Sequence, residues 1–204
     1  MPIPSAEIAK IFEDAGAIRH GHFVLSSGLH SAAYVQCALV LQHPALAEKL
    51  ARELAASLSG LAIQCVASPA IGGIVLGQEV ARALPAPAGG QPMRAIFAER
   101  DAAGILTLRR GFSVAPGERV LVVEDVWTTG GSTVETMRVI EEAGGRLVAV
   151  GALIDRSAGE IEFSVPAHAL LNLKIESFPA EACPMCRAGS EAVRPGSRHK
   201  RAAP

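Results

Sequence analysis

The sequence predicts an α/β fold: a parallel sheet with helices on both faces and a small N-terminal hood. Three observations carry this. Residues 120–123 and 147–154 are apolar runs without polar alternation, the pattern of strands covered on both faces. Stretches with helical spacing lie between such runs, so strands and helices alternate. Half of the 204 residues are hydrophobic and 19% are charged, enough for one sizeable core.

Taken in order, Ile8, Ile11, Phe12 and Ala15 repeat at helical spacing over residues 4–15, and Gly16 is a stop. Residues 21–41 read as strand, loop, strand, split by a Ser and Gly cluster. Pro44 opens a helix whose stripe is Leu46, Leu50, Leu54 and Leu58, closed by Gly60. A strand over 62–68, a tight loop and a helix over 74–84 follow. Residues 85–92, rich in Pro, Ala and Gly, form a surface connection to a strand at 93–98. Residues 99–112 show no strong period and read as a long loop or loose hairpin. A strand over 118–125, a turn over 128–133, a helix over 134–144 and strands over 146–155 and 168–175 complete the pattern. Crossovers in such a sheet are right-handed. This divides the chain into a hood (1–40), a core (41–178) and a C-terminal segment (179–204). The tail from 191 onward has no apolar pattern and is expected to be disordered or draped on the surface.

A net charge of −1 argues against binding nucleic acid or a membrane through charge alone. No apolar run reaches the roughly 18 residues that span a bilayer. The N-terminus lacks a basic-then-apolar signal pattern, and a cytoplasmic location is expected. Cys37 and Cys65 sit in apolar segments and read as small buried hydrophobes. Cys183 and Cys186 form a lone C-x-x-C, which reads as a buried turn. The six histidines show no metal-ligand spacing, so no protein metal site is predicted. His30 is placed in a loop, either exposed to solvent or facing substrate.

The segment that concentrates chemistry is VLVVEDVWTTGGST, residues 120–133. A buried strand delivers Glu124 and Asp125 to its carboxyl end, where open α/β sheets bind ligands. In the turn, Gly130 and Gly131 allow close backbone approach, and Thr128, Thr129 and Ser132 add hydroxyls. The turn ends at a helix N-terminus, whose free N–H groups favour a phosphate. Ser132 and Glu135 spell a capping box near the helix start. One segment thus offers donors for a phosphate and carboxylates for sugar hydroxyls or metal-bound water, as a ribose 5-phosphate requires. Neither the P-loop nor the G-x-G-x-x-G pattern is present.

On these residues the segment resembles the phosphoribosyl-pyrophosphate signature of type I phosphoribosyltransferases, with Trp127 where a small aliphatic residue is usual. Three further segments resemble the orotate branch: GHFVLSSGLHSAAY (21–34) its hood, ASPAIGGI (67–74) its pyrophosphate loop, and ALIDRS (152–157) the site of an arginine near the orotate ring. The CPMCRAG element resembles one bacterial branch. The resemblance implies transfer of phosphoribosyl from phosphoribosyl pyrophosphate (PRPP) to orotate, giving orotidine 5′-monophosphate and pyrophosphate in pyrimidine synthesis. Mg2+ would be held mainly by PRPP, and the enzyme would be a homodimer. It assigns catalysis to Glu124, Asp125 and Arg100. PRPP falls to residues Glu124, Asp125, Val126, Trp127, Thr128, Thr129, Gly130, Gly131 and Ser132, to the amides of Ile71, Gly72 and Gly73, and to Arg109 or Arg110. Orotate falls to Thr128, Arg156, Ser26 and Tyr34. The chain departs from many orotate enzymes in having Ser26, and Gly72 or Gly73, at positions where they carry lysine. Its mobile loop carries only arginines: Arg100, Arg109 and Arg110. Arg109 and Arg110 are adjacent, so in an extended strand they point to opposite faces. A purine or uracil phosphoribosyltransferase, or a non-catalytic regulator on the same fold, shares the 120–133 motif. Arg156, a cation suited to an anionic base, and the retained carboxylates favour the orotate enzyme.

Overall fold

The computed structural model describes residues 2–25, 28–87, 91–157 and 159–195. The chain runs α1 (Ser5–Asp14), β1 (Ile18–Val24), β2 (His30–Val35), α2 (Ala38–Leu41), α3 (Pro44–Ser57), β3 (Cys65–Pro69) and α4 (Gly72–Ala83). It continues through β4 (Arg94–Arg100), β5 (Leu106–Leu108), β6 (Arg119–Trp127), α5 (Gly131–Glu142) and β7 (Arg146–Asp155). It closes with β8 (Ala167–Asn172), β9 (Ser177–Phe178), a 3-10 turn (Ala180–Ala182) and α6 (Pro184–Arg187).

The main sheet has six strands in the order β5-β4-β3-β6-β7-β8. All neighbours pair in parallel except β4 and β5. Both faces are covered, as the unbroken apolar runs predict. Along β6, Leu121 and Val123 enter a core with Leu50 and Leu54 of α3 and Leu76 and Val80 of α4. Val120 and Val122 point the other way, against Met137 and Ile140 of α5. Period-2 alternation therefore survives as a choice between two cores, not between core and water.

From β3 the chain moves to β4 on one side, while β6 returns to the other. The segments after β3 and β6 lead to helices on opposite faces, and a crevice opens between them at the carboxyl edge. A second sheet, β1-β2-β9, is antiparallel and forms the hood. Its third strand comes from beyond β8, so hood and C-terminal segment are one structural unit.

Several local expectations are corrected. Residues 38–41, expected to be strand, form the short helix α2, with Val40 and Leu41 buried. α4 begins at Gly72, two residues closer to β3 than the expected onset at Ile74, so the glycines belong to its first turn. Of the two readings for residues 99–112, the hairpin is the one that forms: β4 runs on to Arg100, and β5 pairs Leu106 with Arg100. Asp101 Oδ1 closes its turn by accepting from the N–H groups of Ala103 and Ile105. The start of the tail is also fixed. Val193 N donates to His22 O and Val24 N donates to Val193 O, both at 2.9 Å. Residues 196–204 lie outside the described residues.

Candidate active site

The carboxyl ends of β6 and β7 converge on a cavity of about 810 Å³. Asp125, Val126, Thr128 and Thr129 line it from β6 and the following turn, Arg156 from β7, and Tyr34 from the hood. A smaller cavity, about 350 Å³ between α1 and the start of α3, holds none of these groups.

The turn after β6 is built to approach a ligand closely. Gly130 has φ of 72°, the left-handed region that disfavours a side chain. A Cβ there would also lie 3.0 Å from Ile161 Cγ2. α5 starts at Gly131, so its first amides lack intrahelical partners and face the turn. The expected capping box does not form. Gly130 is the N-cap and no side chain caps the helix. Glu135 instead pairs with Arg100 at 2.8 Å.

Glu124 and Asp125 have no cation within ion-pair distance among the described residues. Burial, reinforced by the neighbouring Asp125 charge, pushes the Glu124 carboxyl up to about 7, although the Thr133 hydroxyl donates to it. Burial raises Asp125 as well, against hydrogen bonds from the backbone of Asp125 and Val126. Two carboxylates held without a counter-charge suit hydroxyl donors or water on a hard cation.

Across the crevice, the loop after β3 presents Ile71, which is 85% exposed, and the first turn of α4. The Ala70–Ile71 peptide is cis. Gly72 packs directly on the carboxylate: a Cβ there would lie 2.7 Å from Asp125 Oδ1. A Cβ on Gly73 would lie 2.8 Å from Ser68 Cβ. Neither position has room for a lysine in this arrangement, so the first-turn amides of α4 are what this loop can offer an anion.

Arg156 follows β7. Its N–H donates to Trp127 O at 2.8 Å, which ties it to the end of β6. Asp155 shapes the loop by accepting from Ser157 N, Ser157 Oγ and Gly159 N. The guanidinium makes one long contact, Nη2 to Ser31 Oγ at 3.5 Å, and its buried Nε has no hydrogen-bond partner. Burial lowers its pKa. A buried donor left open beside a cavity fits a planar anionic ligand.

A family model described as the phosphoribosyl transferase domain matches residues 39–182. The orotate phosphoribosyltransferase of Pelotomaculum thermopropionicum is 52% identical over 94% of this chain and 97% of its own length. That of Thermotoga maritima is 46% identical over 94% and 98%. The chain belongs to the orotate phosphoribosyltransferase family. Among solved structures, orotate phosphoribosyltransferase from Aeropyrum pernix matches with a TM-score of 0.62 and 27% identity, covering 82% of this chain and 95% of that one. The Mycobacterium tuberculosis H37Rv enzyme in complex with inorganic phosphate gives 0.62 and 28%, covering 83% and 95%.

Against this family frame, the sequence-predicted residues fall into groups. Asp125, Val126, Thr128, Thr129, Arg156 and Tyr34 share the one cavity. Glu124 neighbours Asp125 on β6. Gly130, Gly131 and Ser132 join the turn to α5, and Gly72, at the start of α4, packs on Asp125. Trp127 is corrected: its side chain is 3% exposed and packs on Phe163 with ring centroids 4.8 Å apart, so only its backbone can serve the site. Arg109 and Arg110 are not in an extended strand. They occupy a turn, Arg110 has φ of 57°, and both reach Glu99, at 3.7 and 2.8 Å. Arg100 lies near enough to Glu124 for its charge to oppose the upward shift. Ser26 lies outside the described residues.

Sequence reasoning missed Lys174, Ser157, Glu160 and Glu176, which line the same cavity. Ser157 and Glu160 follow Arg156 in the loop after β7, whereas Lys174 and Glu176 have no local pattern and are brought there by the path from β8 to β9. It also misplaced His30, which is only 8% exposed on β2, its ring nitrogen 2.7 Å from His22 Nε2. Cys183 is buried, as the reading of a buried turn has it, but Cys186 is exposed, and the Cys183 sulfur lies 3.5 Å from His22 Nε2.

Proposed function

We propose that this site transfers the phosphoribosyl group of PRPP to the ring nitrogen of orotate, releasing pyrophosphate. One observation carries the reading: the Arg156 guanidinium, with no carboxylate in ion-pair distance among the described residues and its buried Nε without a partner, shares a cavity with the Asp125 carboxylate and the Thr128–Thr129 turn. A phosphate-type turn and a sugar-type carboxylate specify PRPP. A buried cation without a counter-ion specifies a base that carries negative charge, as orotate does and uracil or a purine does not.

The amides of the 128–131 turn and the first turn of α5 hold the 5′-phosphate. Glu124 and Asp125 accept from the ribose hydroxyls. The first-turn amides of α4 face the departing pyrophosphate. As the sugar carbon gains oxocarbenium-like charge, catalysis rests on positioning and on stabilising the leaving anion. Glu124 and Asp125, buried and without a cation in ion-pair distance among the described residues, suit the water shell of Mg2+ carried by PRPP, which would supply charge neutralisation on the pyrophosphate. Arg100, Arg109 and Arg110 reach the pyrophosphate by exchanging Glu135 and Glu99 for it, and the hairpin then excludes water. A homodimer in which this hairpin serves the partner's site, and a cytoplasmic location, belong to the same reading. No helix among the described residues is long and apolar enough to cross a membrane.

The deciding experiment follows loss of orotate absorbance with PRPP and magnesium, beside parallel reactions with hypoxanthine, adenine and uracil. Turnover confined to orotate is expected. Turnover with another base alone would keep the PRPP half of the site and overturn the role of Arg156.

A further inference from the structure

Outside the cavity, four side chains that share no part of the proposed reaction converge on one point. His22 Nε2 lies 2.7 Å from His30 Nδ1, 3.5 Å from Cys183 Sγ and 3.7 Å from Cys186 Sγ. Cys186 Sγ lies 3.3 Å from His30 Nδ1. All four potential ligand atoms fall within 4.8 Å of one another. His22, His30 and Cys183 are buried, and Cys186 closes the accessible side.

We propose that His22, His30, Cys183 and Cys186 bind a structural zinc ion that pins the C-terminal segment to the hood. Zinc bonds of about 2.3 Å to sulfur and about 2.0 Å to nitrogen imply tetrahedral edges of about 3.3–3.8 Å. The sulfur contacts match those edges. The histidine pair is tighter, and an ion between the rings opens it by about half an ångström. Two thiolates and two imidazoles select zinc over the hard cations that suit the carboxylates of the cavity.

The surroundings are arranged as for a ligand set. His22 Nδ1 lies 2.9 Å from Ser190 O, a carbonyl that can only accept. The neutral ring therefore carries its proton on Nδ1 and aims a lone pair from Nε2 into the cluster. The backbone prepares the positions too. A register irregularity between His20 and Phe23 interrupts the β1–β2 ladder, and His22 projects from it. Cys183 is the N-cap of α6 and Cys186 lies within it, so one short turn presents both sulfurs.

The energetics ask for such an anchor. Among the described residues after β9, Cys183 is the only buried side chain. A segment with so little apolar burial cannot offset its own ordering entropy, whereas a metal that closes a long loop does. Ordering this segment also fixes the hood. β9 pairs with β2 at His30 and Ser31, and the loop joining β1 to β2 carries Leu25 and Leu29, which line the substrate cavity.

The test uses the whole chain, purified under reducing conditions without chelator. Elemental analysis is expected to find about one zinc per chain, with the metal lost in Cys183→Ser, Cys186→Ser and His30→Ala. Because such variants can fail to fold, the unmodified chain is also stripped with a chelator and reloaded with Co2+. Thiolate-to-cobalt charge-transfer bands, displaced by one equivalent of Zn2+, are the expected signature. Magnesium at the cavity cannot produce them. A folded chain from zinc-supplemented cells that holds no zinc and gives no thiolate–cobalt bands overturns the proposal. So does zinc retained undiminished in both cysteine variants.

Discussion

The 128–131 turn draws its chemistry from neighbours in sequence, whereas the His22–His30–Cys183–Cys186 cluster joins residues up to 164 positions apart. The first is encoded by a strand, a glycine turn and a helix start, each readable within a few residues. The second exists only because a C-terminal segment returns to an N-terminal hairpin. Arg156 stands between these cases. Its position follows from the next strand of the core, but its environment is tertiary: Ser31 of the hood takes Nη2 and the buried Nε is left without a partner.

The largest effect is expected in the contiguous region. Asp125→Asn removes a carboxylate that no other group replaces, and kcat/KM should fall about 10³-fold with an unchanged circular dichroism spectrum. A fall of less than about tenfold would move the sugar-binding role elsewhere. Arg156→Ala comes next. Losing a charged hydrogen bond in the transition state costs about 2–4 kcal/mol, so kcat/KM for orotate should drop by about a hundredfold or more. The KM for PRPP should hardly move; if both change alike, the two halves of the cavity are not separable.

Gly72→Ala tests the contact between the halves. Its Cβ has only 2.7 Å to Asp125 Oδ1, so the carboxylate must shift. Displacement on that scale should lower kcat by about 10–100-fold, with the fold retained as judged by thermal melting. An alanine enzyme of normal activity would show that the pyrophosphate loop and β6 need not touch.

The Glu124 carboxyl gives a pH test. Its folded pKa of about 7 lies above the ordinary 4.5. The folded state therefore binds the proton more tightly, and this contribution to stability is full below 4.5 and lost as pH rises through about 7. Glu124→Gln should flatten that part of the stability profile in the ligand-free protein, read by denaturant unfolding across the same range. Parallel profiles for the two proteins would remove burial as the cause. The smallest effect belongs to the surface pair Arg100–Glu135. Both side chains are more than two-fifths exposed, and Glu135→Gln should change stability by less than about 1 kcal/mol. A larger loss would mean that the hairpin is clamped, not free to exchange partners.

The sequence by itself determined the α/β class, the span of β7, the stripe of α3 and the strand, turn and helix start over 124–131. Each rests on short-range periodicity or on a turn whose residues are adjacent, and local spacing survives any tertiary arrangement. Tertiary structure decided the rest. It turned the Trp127 side chain into the core behind the motif, gave Glu135 to Arg100 in place of a cap, and drew Arg109 and Arg110 onto Glu99. It also brought Lys174 to the cavity and His22 and His30 to two cysteines. These outcomes depend on which strand lies beside which and on where the chain returns. Side-chain pairing across such distances is set by the packing of the whole sheet, and no window of neighbouring residues contains it.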